Sequence, residues 1–221
     1  MRNTLLISAG ALTMSAGVAL ATPPAPVPMP VFTWTDCYVG AHAGADSGHS
    51  SWSNVPTFGS VGMGTNGAIA GGQAGCNYQM QQFVIGAEGE LWGSTLAGST
   101  SRFLGGEGGG TYIFRTKSNF AGDVAARFGF AFDRVLLFSK VGVAWAHYSF
   151  SVDGPFTFSP DTGSSTYSGL LLGLGAEFAI DAHWSIKAEY DYINYGGKNI
   201  AMYQSNGVLG ITPTIANTEN I

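Results

Sequence analysis

The stretch D-V-A-A-R-F-G-F-A-F-D-R-V-L-L-F-S-K-V-G-V-A-W-A-H-Y-S-F, from Asp123 to Phe150, contains two alternating segments that meet at Asp133-Arg134. In the first segment, the alternate positions from Val124 to Phe132 are mostly large and apolar, whereas the positions between them carry small or charged residues such as Arg127. Successive side chains of a strand point to opposite faces, so the stretch predicts a β-hairpin with one large apolar face. A narrow barrel has interior room for Gly, Ala and single charges. The pattern therefore predicts that the apolar face contacts lipid.

The composition favours the same interpretation. Glycine accounts for 33 of 221 residues, about twice the usual share of about 7%, and charged residues make up 10% instead of about a quarter. No stretch beyond the N-terminal region approaches the roughly 18 apolar residues of a spanning helix, so a membrane protein of this sequence would be a barrel. The net charge of -5 excludes nucleic acid as an electrostatic partner.

The N-terminal region has the features of an export signal. Arg2, the uncharged run Leu5–Leu20 and the small-x-small triplet ending at Ala21 predict a signal peptide over residues 1–21, cleaved near Ala21. Residues 22–32 are proline-rich and predict an extended periplasmic lead-in. We expect residues 33–221 to form a barrel in the cell outer membrane.

The rest of the chain predicts an all-β fold, an eight-stranded antiparallel up-and-down transmembrane β-barrel. Long polar connections at Gly48–Gly67, Ser94–Ser118 and Val152–Thr166 alternate with short turns, which is typical of bacterial outer-membrane barrels. The predicted strands before the closing one are Trp34–Ala45, Ala68–Tyr78, Phe83–Trp92, Asp123–Phe132, Val135–Phe150, Gly169–Ile180 and Trp184–Ile193.

Parity across the short turns predicts which residues face the lumen. The two-residue turn places Arg127 beside Lys140, and a three-residue turn places Glu177 beside Lys187. Buried charges need opposite charges and hydrogen bonds, and carboxylates share this parity on neighbouring strands. The predicted lumen ion-pair network comprises Glu88, Glu90, Asp123, Arg127, Lys140, Glu177, Lys187, Glu189 and Asp191.

An interior of about eight strands is only wide enough for its own side chains. We therefore interpret the network as a plug that fills a structural barrel, with roles in envelope integrity and surface contact. A narrow porin for small solutes is the alternative.

The two cysteines, Cys37 and Cys76, have outward parity near the same end of the first two strands. An exported chain meets an oxidising compartment in which a disulfide can form. Because the register decides whether the two residues come close enough, the sequence leaves open whether they are bridged.

The other motifs give no support for catalysis, dinucleotide binding or metal binding. The G-x-G-x-x-G run Gly62–Gly67 lacks the preceding strand and following helix of a dinucleotide site. Asp46, Ser47, His49 and Ser50 could form a hydrolase site only if a rigid frame oriented them, and a flexible loop provides none. The four histidines do not converge as metal ligands. We therefore expect no enzymatic activity, no cofactor and no metal.

Most tryptophans, Trp34 among them, are assigned to interfacial girdles, but Trp92 has inward parity.

Four segments in order support a family resemblance: V-F-T-W-T-D-C-Y-V-G from Val31, G-G-Q-A-G-C-N-Y-Q from Gly71, F-G-F-A-F-D-R-V-L-L-F from Phe128 and W-S-I-K-A-E-Y-D-Y from Trp184. The chain resembles the outer-membrane immunogenic, porin-like β-barrel proteins of α-proteobacteria, relatives of the OmpA barrel. The resemblance implies contact with outer-membrane lipid and lipopolysaccharide, insertion by the barrel-assembly machinery, and host or surface ligands at the outer loops. It also implies haem capture as an alternative.

The sequence departs from that family in two respects. The family usually has aromatic residues at Cys37 and Cys76, and an arginine at Ala125. Its members normally end in an alternating strand with a terminal Phe, whereas this chain has Pro213 in its last candidate strand and ends in Ile221. We therefore predict either a weak closing strand at Gly207–Ile215 or an altered reading frame there.

Overall fold

The strands account for most of the chain. The computed structural model describes residues 2–3, 32–55, 58–104, 109–155, 160–204 and 209–221. The predicted signal peptide and lead-in lie almost wholly outside the described residues and stay predictions. The strands are β1 (Arg2–Asn3), β2 (Asp36–Val55), β3 (Gly59–Met80), β4 (Phe83–Ser94), β5 (Ala97–Leu104), β6 (Gly110–Phe132), β7 (Val135–Asp153), β8 (Asp161–Ala179), β9 (Ser185–Asn199) and β10 (Thr214–Asn220).

Eight of these strands close into a ring. The order is β2-β3-β4-β6-β7-β8-β9-β10, and β10 pairs back onto β2. Every pairing in the ring is antiparallel. The strand β5 extends the line of β4 and pairs with β6 and, at one residue, with β3. The predicted eight-stranded up-and-down barrel is confirmed. Among the described residues, no helix is long and apolar enough to cross a membrane.

Tight turns set the register at one end of the barrel. Gln81 and Asp133 each open a two-residue turn with positive φ, 57° and 51°, the backbone that matches the twist of two hairpin strands. The observed register places Arg127 beside Lys140 and Glu177 beside Lys187, as the turn lengths predict.

The third turn at this end is built around Asp181. Its carboxylate accepts hydrogen bonds from the backbone N–H groups of His183 and Trp184, at 2.7 and 2.9 Å. These bonds favour the ionised form, led by the one from His183, so the pKa of Asp181 lies below its usual range. The turn is therefore fixed by a charged acceptor.

The segments predicted as long outer loops are mostly strand. In the first of them, Gly48–Gly67, β2 continues to Val55 and β3 begins at Gly59. In the other two, Ser94–Ser118 and Val152–Thr166, the chain forms β5 and the outer ends of β6, β7 and β8. The prediction failed because the outward positions are polar beyond the membrane, so the alternation of apolar and polar residues disappears while the backbone ladder continues.

An apolar belt surrounds the barrel. On β6 the outward side chains of Val124, Phe128 and Phe132 are about half exposed, and the belt begins at Phe120. The path from Phe120 to Phe132 is about 40 Å at about 3.3 Å per residue, and a strand tilt of about 40° reduces its height to about 30 Å. This height is sufficient to span the hydrocarbon core of an outer membrane.

The closing strand lies farther along the chain than predicted. The strand is Thr214–Asn220, whereas the prediction was Gly207–Ile215, of which residues 207 and 208 lie outside the described residues. It pairs with Ser47–Ser53 of β2 on one side and with β9 on the other. Pro213 precedes the strand, so its missing N–H costs no ladder bond. Nearer the short turns, the only described residues that pair with this edge of β2 are those of β1, in parallel with Tyr38–Val39.

Candidate functional site in the barrel lumen

Lys140 lies at the centre of the charged layer inside the barrel. Its side chain is fully buried and its Nζ lies 2.5 Å from Glu189 Oε1 and 3.0 Å from Asp191 Oδ2. Glu88 and Glu90 are farther away, at 3.6 and 3.5 Å. One ammonium group therefore lies among carboxylates that two other strands, β4 and β9, contribute.

Arg127 connects two other walls of the barrel. Its guanidinium group lies 3.0 Å from Glu177 and 3.4 Å from Glu88, and it also donates to the hydroxyl of Tyr38. The ring of Phe138 packs against the guanidinium, 4.0 Å from centroid to carbon, as in a cation–π contact. Arg127 is thus held by both charge and stacking.

Lys187 completes the ion pairs. Its Nζ lies 2.8 Å from Glu90 Oε1, 3.1 Å from Glu189 Oε2 and 3.2 Å from Glu88 Oε1. The structure therefore brings eight of the nine predicted lumen residues into one connected set of ion pairs. Asp123 is the ninth: it is buried beside Glu90 and Asp191, with neither an ion pair nor a hydrogen bond to its side chain among the described residues.

A lower apolar layer closes the barrel near the short turns. Trp34 is fully buried there and donates its indole N–H to the backbone oxygen of Asp133 at 3.1 Å. The girdle assignment of Trp34 is therefore wrong, because the chain before β2 folds back under the barrel. The layer consists of Phe32, Trp34, Val84, Ala131, Leu136, Phe138 and Ala179.

An upper aromatic layer closes the other end. Trp52 makes edge-to-face contacts with Phe114 and Phe150, at centroid distances of 5.4 and 5.6 Å. Tyr148 packs in the same way against Tyr167 at 5.4 Å. Sequence reasoning missed this layer because several of these residues fell in segments read as loops; their inward parity was the available signal.

The upper layer also holds the closing strand. Tyr148 and Tyr195 both donate to the carboxylate of Glu219, the latter at 3.2 Å, and Tyr167 donates to the backbone oxygen of Ile215 at 3.1 Å. Glu219 and Ile215 both belong to β10. These hydrogen bonds therefore fix β10 from the lumen side. The sequence of β10 carries few apolar residues that would have predicted its position.

The remaining candidate residues are distributed as follows. Cys37 and Cys76 form a directly opposed cross-strand pair on the outward face, and their sulfurs are bonded. Asp46 is buried in the lumen whereas Ser47 and His49 are exposed outside, so no hydrolase constellation forms. The glycines Gly62–Gly67 lie within β3.

Comparison with known proteins agrees with this architecture. The model of the outer membrane protein beta-barrel domain matches residues 8–212. The 31 kDa outer-membrane immunogenic protein of Brucella melitensis is 33% identical over 222 residues, covering 90% of each chain. The 25 kDa outer-membrane immunogenic protein of Brucella abortus is 26% identical over 207 residues, covering 90% of this chain and 87% of that protein.

Among solved structures, the chain is similar to the outer membrane protease OmpT of Escherichia coli. It has a TM-score of 0.48 and 11% identity, covering 87% of this chain and 96% of that chain. A similarity of this size carries no functional inference. The domain match and the Brucella relatives, by contrast, identify the family. The chain is an outer-membrane protein that belongs to the outer membrane protein beta-barrel family, with the outer-membrane immunogenic proteins among its relatives.

Proposed function

We propose that this barrel is a non-enzymatic, non-conducting protein that contributes to the integrity of the outer membrane. The observation that carries the proposal is the order of layers in the lumen. Ion pairs around Lys140 fill the middle, and apolar side chains represented by Trp34 and Trp52 close the two ends. Hydrated ions would have to pass both layers, where fully buried aromatic rings such as those of Trp34 and Trp52 occupy the lumen.

A narrow porin is the second candidate function. The observation in its favour is a cavity of about 200 Å³ that extends from the lumen to the barrel wall at Ala43–Ala45 and Ile221, and whose lining includes Glu90, Lys187 and Asp191. Movement of the apolar layers would connect this cavity to both sides of the membrane. The two candidates therefore differ in whether the layers open.

Conductance in planar lipid bilayers separates the two functions. We expect the purified wild-type barrel to insert without stepwise current. A variant that shortens one side chain in each layer, Trp34→Gly, Arg127→Gly and Trp52→Gly, is the positive control and should conduct. Stable stepwise openings of the wild type would contradict the closed barrel and favour the porin.

We further propose that the outer hairpins provide a surface for contact with other molecules. They rise beyond the apolar belt, and outward-facing Arg115 and Lys117 stand above it, where lipopolysaccharide phosphates would lie. The Brucella relatives are named as immunogenic, which agrees with surface exposure. Host ligands or haem at these hairpins, and insertion by the barrel-assembly machinery, belong to the same proposal. Antibodies against the β2–β3 hairpin should label intact cells, and failure to label them would contradict surface exposure.

The absence of enzymatic activity has its own test. His49 and Ser47 are exposed side by side on β2 but are separated from Asp46 by the barrel wall. We expect the wild type, His49→Ala and Ser47→Ala all to give the lipid and peptide turnover of cells without the protein. Turnover by the wild type that either substitution abolishes would show that the rim is catalytic.

A further inference from the structure

The lumen carries more negative than positive charge. Six carboxylates face three cations in the middle layer: Glu88, Glu90, Asp123, Glu177, Glu189 and Asp191 against Arg127, Lys140 and Lys187. A buried carboxylate without a positive partner is strongly unfavourable. The excess of three negative charges therefore has to be offset by further cations or by protons, and His42, whose Nδ1 lies 3.7 Å from Glu90, offsets one of them only when it is protonated.

The carboxylate that lacks an ion pair, Asp123, lies beside two that have one: Glu90, which contacts Lys187, and Asp191, which contacts Lys140. Gln73, Glu90 and Asp123 are direct cross-strand neighbours on β3, β4 and β6, so their side chains form one inward row. Asp191 of β9 approaches the same row across the lumen. One carboxylate oxygen from each of Glu90, Asp123 and Asp191 lies within 4.8 Å of the other two.

Three buried oxygen atoms at this place, all hydrogen-bond acceptors, have no hydrogen-bond partner in the part of the chain that the structure describes. Both carboxylate oxygens of Asp123, which is 1% exposed, are unpartnered, and so is the amide oxygen of Gln73, which is 6% exposed. Gln73, Glu90 and Asp191 also line the 200 Å³ cavity, which leaves space for water. Oxygen atoms with unused lone pairs beside open space can bind a positively charged ligand. They therefore point to a cation at this place.

A second acidic group in the lumen shows how such clusters are otherwise neutralised. Glu88, Glu90 and Glu189 also come within 4.8 Å of one another, but Lys187 lies among them at 2.8 to 3.2 Å. An ammonium group therefore occupies the position of a cation there. In the group around Asp123, Lys140 lies 3.0 Å from Asp191 and 3.5 Å from Glu90, but no lysine or arginine of the described residues forms an ion pair with Asp123 itself.

We propose that Glu90, Asp123 and Asp191 bind a hard divalent cation, Mg²⁺ or Ca²⁺, inside the barrel. The donors are carboxylate oxygens, with the amide oxygen of Gln73 at the edge of the same row, and these hard ligands suit the two ions. Water in the cavity completes the coordination. The ion cancels two of the three excess charges and links β4, β6 and β9. This site is independent of whether the barrel conducts.

Terbium luminescence tests the site with a spectroscopic readout. Tb³⁺ substitutes for Ca²⁺ at oxygen sites and emits when a nearby tryptophan transfers energy to it, and Trp92 lines the same cavity. Because the apolar layers restrict entry, the protein is refolded into detergent in the presence of Tb³⁺, Ca²⁺ or Mg²⁺ and then passed over a desalting column. Bound metal is counted by mass spectrometry.

We expect one ion per wild-type barrel, sensitised emission that Ca²⁺ competes away, and a higher melting temperature with Ca²⁺ than with EDTA. Asp123→Asn should weaken binding at least tenfold and should be more stable than the wild type in EDTA, because it removes an unpaired charge. Gln73→Met is a milder second variant and should also weaken binding. Asp133→Asn, an exposed turn residue, is the matched control and should bind normally.

Two results would overturn the proposal. The first is a wild-type barrel that retains no metal and melts at the same temperature in Ca²⁺ and EDTA, because protons would then neutralise the lumen. The second is metal retention that Asp123→Asn and Gln73→Met leave unchanged, because the ion would then lie elsewhere. Trp92→Phe separates the readouts: it should abolish sensitised emission while the metal count stays the same.

Discussion

Replacement of Lys140 by methionine should be among the most destabilising single changes in the barrel. The side chain is fully buried and its ammonium group contacts Glu189 at 2.5 Å and Asp191 at 3.0 Å. Methionine retains similar length and apolar volume, so the change removes charge with little loss of packing. It leaves six lumen carboxylates with only two cations.

The size of the effect follows from the cost of breaking a buried ion pair. Removing one partner of such a pair costs about 3–5 kcal/mol, because the remaining charge stays buried without compensation. With a urea dependence of about 2 kcal/mol per molar, the unfolding midpoint should fall by about 2 M. The assay is urea unfolding of the barrel in lipid vesicles, followed by tryptophan fluorescence and by the shift between unheated and boiled bands on gels.

Two further variants make the result specific. Lys117→Met removes an exposed lysine from β6 and should change stability by no more than about 0.5 kcal/mol. Adding Glu189→Gln and Asp191→Asn to Lys140→Met should restore more than half of the lost stability, because the uncompensated charges disappear. If Lys140→Met behaved like Lys117→Met, the lumen would be wet enough to screen its charges and the reasoning would be refuted.

Three other predictions concern the closing strand, a turn and the disulfide. Tyr195→Phe removes a buried hydrogen bond to Glu219 of β10 and should cost about 1.5–3 kcal/mol in the same urea assay; an unchanged midpoint would show that β10 does not need this contact. The lowered pKa of Asp181 means that its stabilisation of the turn is complete above the ordinary aspartate pKa of about 3.9 and is lost as pH falls through the lowered value. An NMR titration midpoint at or above the ordinary value would contradict this. Reduction of Cys37–Cys76, which closes a loop of 39 residues, should lower the stability by about 2–4 kcal/mol, measured as a urea midpoint with and without reductant; a double Cys→Ala variant should match the reduced protein and should not respond to reductant.

The sequence was sufficient for the fold because its signal is local and repeated. Alternation along Asp123–Phe132 identifies the outward face, and the two residues Asp133-Arg134 then determine the register of the next strand. The same reasoning failed at Thr214–Asn220, whose outward residues are Ala216, Thr218 and Asn220 and carry no strong apolar pattern. A strand held mainly by inward hydrogen bonds leaves little trace in hydropathy.

The lumen shows the same difference between what the local sequence predicts and what contacts between distant strands decide. Parity alone assigns Asp123 and Lys140 to the inside, because it depends only on neighbours in the chain. Which carboxylate meets Lys140, which one is left unpaired, and whether Trp34 lies in a girdle or under the barrel all depend on how distant strands come together.

The sequence by itself thus determined the membrane-facing surface, the number of strands and the charge that the lumen contains. Only the tertiary structure decided how that charge is shared, which side chains close the two ends and which strand completes the ring. The physical reason is that alternation is a property of one strand. Contacts across the lumen, by contrast, join residues such as Glu88 and Lys187, which lie 99 positions apart in the chain.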